Sequence, residues 1–342
     1  MSHVLPIDPF LTAPGPLLDV RSPSEFTQGH IPGAISFPLF SDDERAQVGT
    51  CYKQQGRDLA VELGFELAGP KQADFLRRAK AIAADNPIRL HCWRGGMRSE
   101  SMAWLLHMGG LQVTTLTGGY KAFRRWVRAT VAQPKPIMLL GGMTGTGKTN
   151  ILLELRQLGE QVLDLEGLAN HRGSSFGSLG LPPQPSTEHF ENLVALAWHS
   201  LSQAQSIWIE AESKRIGTCR IPPELFDQMA AAPTLAITRS LSERLDLLVE
   251  IYGQAKTAAL VEATERIRKR LGGERTQNAI ALIQLGNLRE AVAIILNYYD
   301  RAYLHDLNRR RQTIPEIDVS GLSCLEAAQL LCEKAASRLP LP

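Results

Sequence analysis

The segment His91-Cys92-Trp93-Arg94-Gly95-Gly96-Met97-Arg98-Ser99 puts a thiol, two arginines and two adjacent glycines in one short stretch. It follows the run Ile88-Arg89-Leu90 and precedes helical spacing over 99–108. Two glycines let the backbone curl until its N–H groups face inward, which makes a nest for an anion. That nest and the start of the next helix favour a thiolate at Cys92, and Arg94 and Arg98 add positive charge. A thiolate beside an anion cradle suits attack on sulfur, selenium or phosphorus. The other cysteines, Cys51, Cys219, Cys324 and Cys332, lack these neighbours and read as buried apolar residues.

A second stretch, Gly142-Met143-Thr144-Gly145-Thr146-Gly147-Lys148-Thr149, fits G-x-x-x-x-G-K-[ST] in full. It lies between an apolar run, 137–140, and helical spacing, 148–158. Loop N–H groups and the helix start would cradle a diphosphate, with Gly142, Gly145 and Gly147 allowing the close approach. Lys148 would neutralise the phosphate charge, and the Thr149 hydroxyl is placed to hold Mg²⁺. Glu210 ends the apolar run Ile207-Trp208-Ile209 and is a candidate metal ligand; Glu212 follows it, and Asp164 is a weaker candidate for base or metal work. Residues 171–177, His-Arg-Gly-Ser-Ser-Phe-Gly, hold little that packs in a core, which suits a binding loop presenting His171, Arg172 and Ser174.

The elements that must position these groups alternate. Strands are expected at 17–20, 34–37, 88–91 and 113–116, with a helix at 71–84 between them. Gln133-Pro134-Lys135-Pro136 breaks helix and sheet alike and reads as a linker. Alternation then resumes, with strands at 137–140, 161–165, 207–209 and 235–237 and an amphipathic helix from Phe190. From Leu241 to the end the pattern is mainly helical. Strands alternating with helices imply parallel sheets covered by helices, so the fold class is α/β with two domains, 1–132 and 133–342.

The first half resembles the rhodanese family. The resemblance rests on Asp19-Val20-Arg21, Glu25-Phe26, Gly29-His30-Ile31-Pro32-Gly33-Ala34, the cysteine loop and Gly118-Gly119-Tyr120. It implies a sulfur-carrying Cys92. Five residues separate Cys92 from Arg98 where that family usually has four. The wider His-Cys-x5-Arg spacing matches cysteine phosphatases and favours a phosphate-bearing donor such as selenophosphate.

A rhodanese-like domain joined to a P-loop domain resembles the tRNA 2-selenouridine synthase family. Further matching segments are residues 167–177, Gln184-Pro185-Ser186, Phe190-Glu191-Asn192 and residues 209–217. The resemblance implies a transferase acting on wobble 2-thiouridine of tRNA. The sulfur first takes a geranyl group from geranyl diphosphate; selenium from selenophosphate then displaces the alkylated sulfur. It implies that Lys148 and Thr149 serve the diphosphate, and that Cys92, Arg94 and Arg98 serve selenium. Two rival readings fit the motifs: a P-loop kinase or ATPase with a phosphatase-like cysteine domain, and a sulfur-relay adaptor.

The chain of 342 residues is long enough for two cores, and 44% hydrophobic with 21% charged residues is the balance of a soluble globular protein. No leader pattern or membrane-spanning run is visible, and scattered, unpaired cysteines fit a reducing cytoplasm. A net charge of +2 leaves tRNA binding to local patches. Candidates are Arg124, Arg125, Trp126 and Arg128; the stretch 266–275; and Arg309-Arg310-Arg311. Ile294, Ile295 and Leu296 are candidates to line a pocket for the geranyl tail, and serve equally as core.

Overall fold

The computed structural model describes residues 3–309 and 314–336, with side chains described for 3–301 and 314–335. The chain forms two compact units. One runs to Thr130 and includes Glu191–Leu196; the other comprises Val131–Phe190 and the chain from Ala197 onward. Among the described residues no helix is long and apolar enough to cross a membrane.

The first unit is built on strands β1 (His3–Leu5), β2 (Leu17–Asp19), β3 (Ala34–Ser36), β4 (Ile88–His91) and β5 (Val113–Leu116). All pairings are parallel, in the order β1-β5-β4-β2-β3. Parallel strands need crossovers, and helices supply them. Leu18, Val20, Phe37, Phe75, Leu90, Met102 and Leu106 form the core beneath those helices. The chain leaves β2 for edge strand β3 and returns on the other side of β2 as β4. Ligands bind at such a reversal, beyond the carboxyl ends of the strands. Asp19 ends β2 and His91 ends β4, so the cysteine loop opens there. Edge strand β1 has only three residues, too short for a readable alternation. The helices Asp42–Gln55 and Arg57–Ala68 also escape a sequence reading, because the first buries no residue and the second only Ala60.

The second unit carries β6 (Ile137–Gly142), β7 (Gln161–Leu163), β8 (Ile207–Glu210), the short hairpin strands β9 (Arg215–Ile216) and β10 (Cys219–Arg220), β11 (Thr234–Thr238) and β12 (Glu316–Asp318). Its main sheet is parallel, in the order β12-β11-β6-β8-β7. Central β6 is buried at every position, as a strand covered on both faces must be. The run after Leu241 departs from helix at β12, which pairs with β11. Helices Leu241–Tyr252, Thr257–Arg266, Gly273–Gln284 and Leu288–Arg309 add a second apolar cluster around Leu248, Leu260, Ile283 and Leu296. The strand expected over 161–165 stops at Leu163, because Asp164 caps the helix Leu165–Ala169 by accepting from Gly167 N–H at 2.8 Å.

Candidate functional site

In the first unit, Cys92 is buried at the carboxyl end of β4, and the helix Met97–Met108 starts just beyond it. Its Sγ lies 3.2 Å from Ser99 Oγ and 3.8 Å from Gly96 O. Ser99 Oγ donates to Gly96 O at 2.9 Å, which fixes the hydroxyl against the sulfur. Among the described residues, no backbone carbonyl takes the N–H of residues 93–97, so the loop keeps donors for an anion. The loop is held from outside by Gly118-Gly119-Tyr120. Tyr120 N–H donates to Cys92 O and Lys121 N–H to Trp93 O, each at 2.9 Å. Gly119 has φ of 57°, and a Cβ there would meet Cys92 O and Gly95 N at 2.4 Å.

Beneath the loop lies a buried ionic network. Arg21 clamps Asp19 through Nε and Nη2, donates to Gly29 O at 2.7 Å, and stacks its guanidinium 3.7 Å from the Tyr120 ring centre. Burial alone would raise the Asp19 carboxyl, but His91 and Arg21 hold it below the usual carboxylate value. His91 Nε2 sits 3.6 Å from Asp19 Oδ2, and burial pushes the His91 pKa down against the pull of that carboxylate. The side chains that could carry charge toward the sulfur differ. Arg98 donates to Glu25 at 2.7 Å; burial opposes its charge, while Glu25 and Cys92 lift its pKa above the ordinary arginine value. Arg94 is exposed and has no ion-pair partner among the described residues.

In the second unit, the loop after β6 forms a cavity of about 220 Å³ lined by Gly145, Gly147, Lys148, Thr149, Glu166 and Arg172, among others. Gly145 holds φ of 81°, and a Cβ there would press on Leu248 and Arg244 O at 3.0–3.1 Å. Lys148 Nζ donates to Gly142 O at 2.9 Å and Met143 O at 3.2 Å, and lies 3.4 Å from Glu210 Oε1. Thr149 Oγ1 is 3.2 Å from both Glu166 Oε2 and Glu210 Oε2. Glu166, Glu210 and Glu212 bring one carboxylate oxygen each within 4.8 Å of one another. Burial, then the charges of Glu210 and Glu212, push the Glu166 carboxyl up to about 9; burial and Glu210 push Glu212 to about 7. Such proton affinity marks a surplus of negative charge that Lys148 does not balance. Three carboxylates and a hydroxyl are hard oxygen donors, the set that a small divalent cation takes.

The family described as Rhodanese-like domain matches residues 9–125, and that described as tRNA 2-selenouridine synthase AAA domain matches residues 135–323. A protein of Marinobacter nauticus named tRNA 2-selenouridine synthase is 36% identical over 335 residues, covering 87% of this chain and 90% of its own. The chain belongs to the tRNA 2-selenouridine synthase family. Two more relatives of that name behave alike: one from Pseudomonas syringae pv. syringae, 37% identical over 90% of this chain and 91% of its own, and one from Psychromonas ingrahamii, 35% over 87% and 90%.

Within this family member, the residues singled out by sequence fall into two groups, with others placed elsewhere. Cys92 and Arg98 share one loop; Lys148, Thr149, Glu210 and Arg172 share one cavity. Ser174 also lines that cavity, and its Oγ accepts from Phe176 N–H. The stretch 171–177 is less open than its composition suggests. His171 and Phe176 are buried, Ser175 N–H donates to Tyr299 Oη at 3.1 Å, and Arg172 is tied to Leu179 O at 2.9 Å. His171 lies in this loop, its Nδ1 without a hydrogen-bond partner among the described residues, and burial lowers its pKa. Asp164 serves as a helix cap. Trp126 donates to Asp8 and stacks on Phe123, so its ring is already engaged. Arg124 is half-buried against Glu191. In the stretch 266–275, Arg266 pairs with Glu262 and Arg268 with Glu265. Arg310 and Arg311, and the side chain of Arg309, lie outside the described residues.

Three contributors escaped the sequence reading. Glu166 lies one residue into a helix whose five residues leave no apolar stripe to read. Arg244 is buried and donates from Nε to Thr144 O at 2.9 Å and from Nη1 to Asp300 at 3.1 Å, so it clamps the phosphate loop. The partner Asp300 lies fifty-six positions further along the chain, a pairing no local pattern signals.

Proposed function

We propose that the chain converts 2-thiouridine in tRNA to 2-selenouridine in two transfers, using geranyl diphosphate and then selenophosphate. The observation that carries the reading lies in the second unit. The phosphate-loop cavity adjoins a small apolar cavity of about 40 Å³, and Thr144, Ser174, Leu248, Tyr252 and Tyr299 line both. Ile295 and Leu296 wall the apolar part, while Ile294 packs half-buried on the same cluster. A phosphate cradle opening onto hydrocarbon suits a prenyl diphosphate better than a polar nucleoside. The apolar space is little larger than one water's share of the liquid, so the chain enters by shifting neighbouring side chains.

In the first transfer the thiocarbonyl sulfur attacks C1 of the geranyl group. An S–C bond forms, the C–O bond to diphosphate breaks, and the base loses its N3 proton. Lys148 and the loop N–H groups stabilise the departing diphosphate. Mg²⁺ would be held by Thr149 and Glu210 with Glu166 and Glu212, and when bound supplies positive charge to the phosphates. His171, Arg172 and Ser174 belong to the loop that walls this cavity, and Arg172 adds a positive charge to its lining.

In the second transfer, selenophosphate, water and the S-geranyl base yield 2-selenouridine, phosphate and geranyl thiol. A C2–Se bond forms and C2–S breaks, the sulfur leaving with its electron pair and taking a proton; the P–Se bond breaks as water bonds to phosphorus, its electron pair staying on selenium. The loop donors near Cys92, with Arg94 and Arg98, hold the phosphate portion, and Cys92 directs the selenium.

Nucleoside mass spectrometry tests this on thiolated tRNA incubated with the purified chain and both donors. S-geranyl-2-thiouridine should appear first and 2-selenouridine second. Lys148→Ala should slow the first transfer by about 10²–10³-fold. Cys92→Ala should reduce the second to the enzyme-free level. Unchanged nucleosides with steady nucleotide hydrolysis would overturn the reading.

A further inference from the structure

A large apolar cavity lies in the first unit, beside the cysteine loop. It is a groove of about 720 Å³ between the helices Asp42–Gln55, Arg57–Ala68, Gln72–Ala83 and Met97–Met108. Its size falls in the usual range for small-molecule sites, about 300–1,000 Å³. Val48, Tyr52, Phe65, Phe75, Trp104 and Leu105 are among its walls. Tyr52, Phe65 and Trp104 are large apolar side chains left about 60% exposed (59%, 61% and 62%), and they face one depression. A grouped apolar surface of this kind marks a binding site.

The groove is continuous with the thiol site. Met97 and Arg98 line it, and Arg98 is the arginine that closes the cysteine loop. Arg98 and Arg45 both reach Glu25, at 2.7 and 4.0 Å. Two guanidiniums, Arg45 and Arg98, stand at this end of the groove, paired with Glu25 and beside Glu100, while its floor is hydrocarbon. An occupant that matches has a short apolar chain and an anionic reactant at one end.

We propose that this groove seats the prenyl chain of the S-alkylated base during the second transfer, so that the chain selects the alkylated substrate and leads the departing thiol away from Cys92. The inference rests on the two-transfer reading above. It separates two homes for the chain: the cavity behind the phosphate loop takes the donor's chain, and the groove takes the same chain once it is bonded to the base. When C2–S breaks, the electron pair stays on sulfur, a proton joins it, and the prenyl thiol is left in the groove. An unalkylated thiocarbonyl gains nothing from the groove.

The test uses the full chain, selenophosphate, and two synthetic anticodon stem-loops, one with S-geranyl-2-thiouridine and one with the S-methyl analogue. The readout is the ratio of their kcat/KM values for 2-selenouridine formation. In the unaltered chain the geranyl substrate should be favoured at least about tenfold. Phe65→Glu and Trp104→Glu place charge on exposed walls, and each should bring the ratio toward one. Trp104→Phe should restore it, and Ser101→Trp, which fills the groove, should lower it. Circular dichroism checks that each variant is folded. If the unaltered chain converts both substrates with a ratio near one, or the glutamate variants keep the original ratio, the groove assignment falls while the two-transfer reading stands. If neither substrate yields selenouridine, both fall.

Discussion

At the residue scale, the sulfur site depends on charges that sit beneath it. His91 is kept neutral by burial, and its folded pKa lies below the ordinary 6.5. The unfolded chain therefore takes up a proton first as pH falls. The stability tied to His91 is present above about pH 6.5 and is lost as pH falls toward the depressed folded value. Half-buried His30 and buried His171 act in the same direction. Urea-unfolding midpoints should drop between about pH 7.5 and about pH 5.5, and His91→Gln should show a smaller drop. An identical drop in both proteins would remove His91 from this account. The residue scale is also where sequence was most informative. Cys92, Lys148 and Thr149 stand out because their neighbours in the chain are their neighbours in space.

At the element scale, each loop is fixed by a partner segment. Gly119 packs its Cα against the cysteine loop, with a positive φ and no room for a Cβ. Gly119→Ala should cost about 1–3 kcal/mol, measured by denaturant unfolding, and should weaken selenium transfer more than geranylation. The acidic trio makes a different demand. The unfolded Glu166 loses its proton near the ordinary 4.5 but the folded one holds it to about 9. Without a cation, its contribution to stability falls as pH rises across that window. Mg²⁺ should oppose this. Its addition should raise the thermal midpoint more at about pH 8.5 than at about pH 6.5, and less in Glu210→Gln. No shift with Mg²⁺ at either pH would count against metal binding there. These elements were partly legible. Strands β2, β4, β5, β6, β8 and β11 read from apolar runs, whereas β1, β12 and the helices Asp42–Gln55 and Arg57–Ala68 have few buried residues to form a pattern.

At the scale of the whole molecule, the thiol and the phosphate loop belong to different units, each with its own sheet and core. The two proposed transfers should then be separable. A mixture of the Cys92→Ala and Lys148→Ala proteins should form 2-selenouridine from thiolated tRNA, geranyl diphosphate and selenophosphate, although neither does so alone at the wild-type rate. Mass spectrometry of the nucleosides should show S-geranyl-2-thiouridine passing from one protein to the other. No recovery, with each half-reaction intact in its own assay, would mean that the intermediate does not leave the chain.

The sequence by itself determined the two anion loops, the α/β class and the alternation that builds two parallel sheets. Those features depend on local backbone chemistry: glycines where the chain must curl, a helix start after the loop, and apolar runs for buried strands. Only the tertiary structure decided which distant groups complete the sites. Glu166 meets Glu210 because the carboxyl ends of neighbouring strands converge. Arg244 reaches back from a later helix to brace the phosphate loop, and Asp19 lies under Cys92 because β2 and β4 are adjacent. The apolar groove also appears only in three dimensions, because its walls come from four helices and no one of them forms it alone.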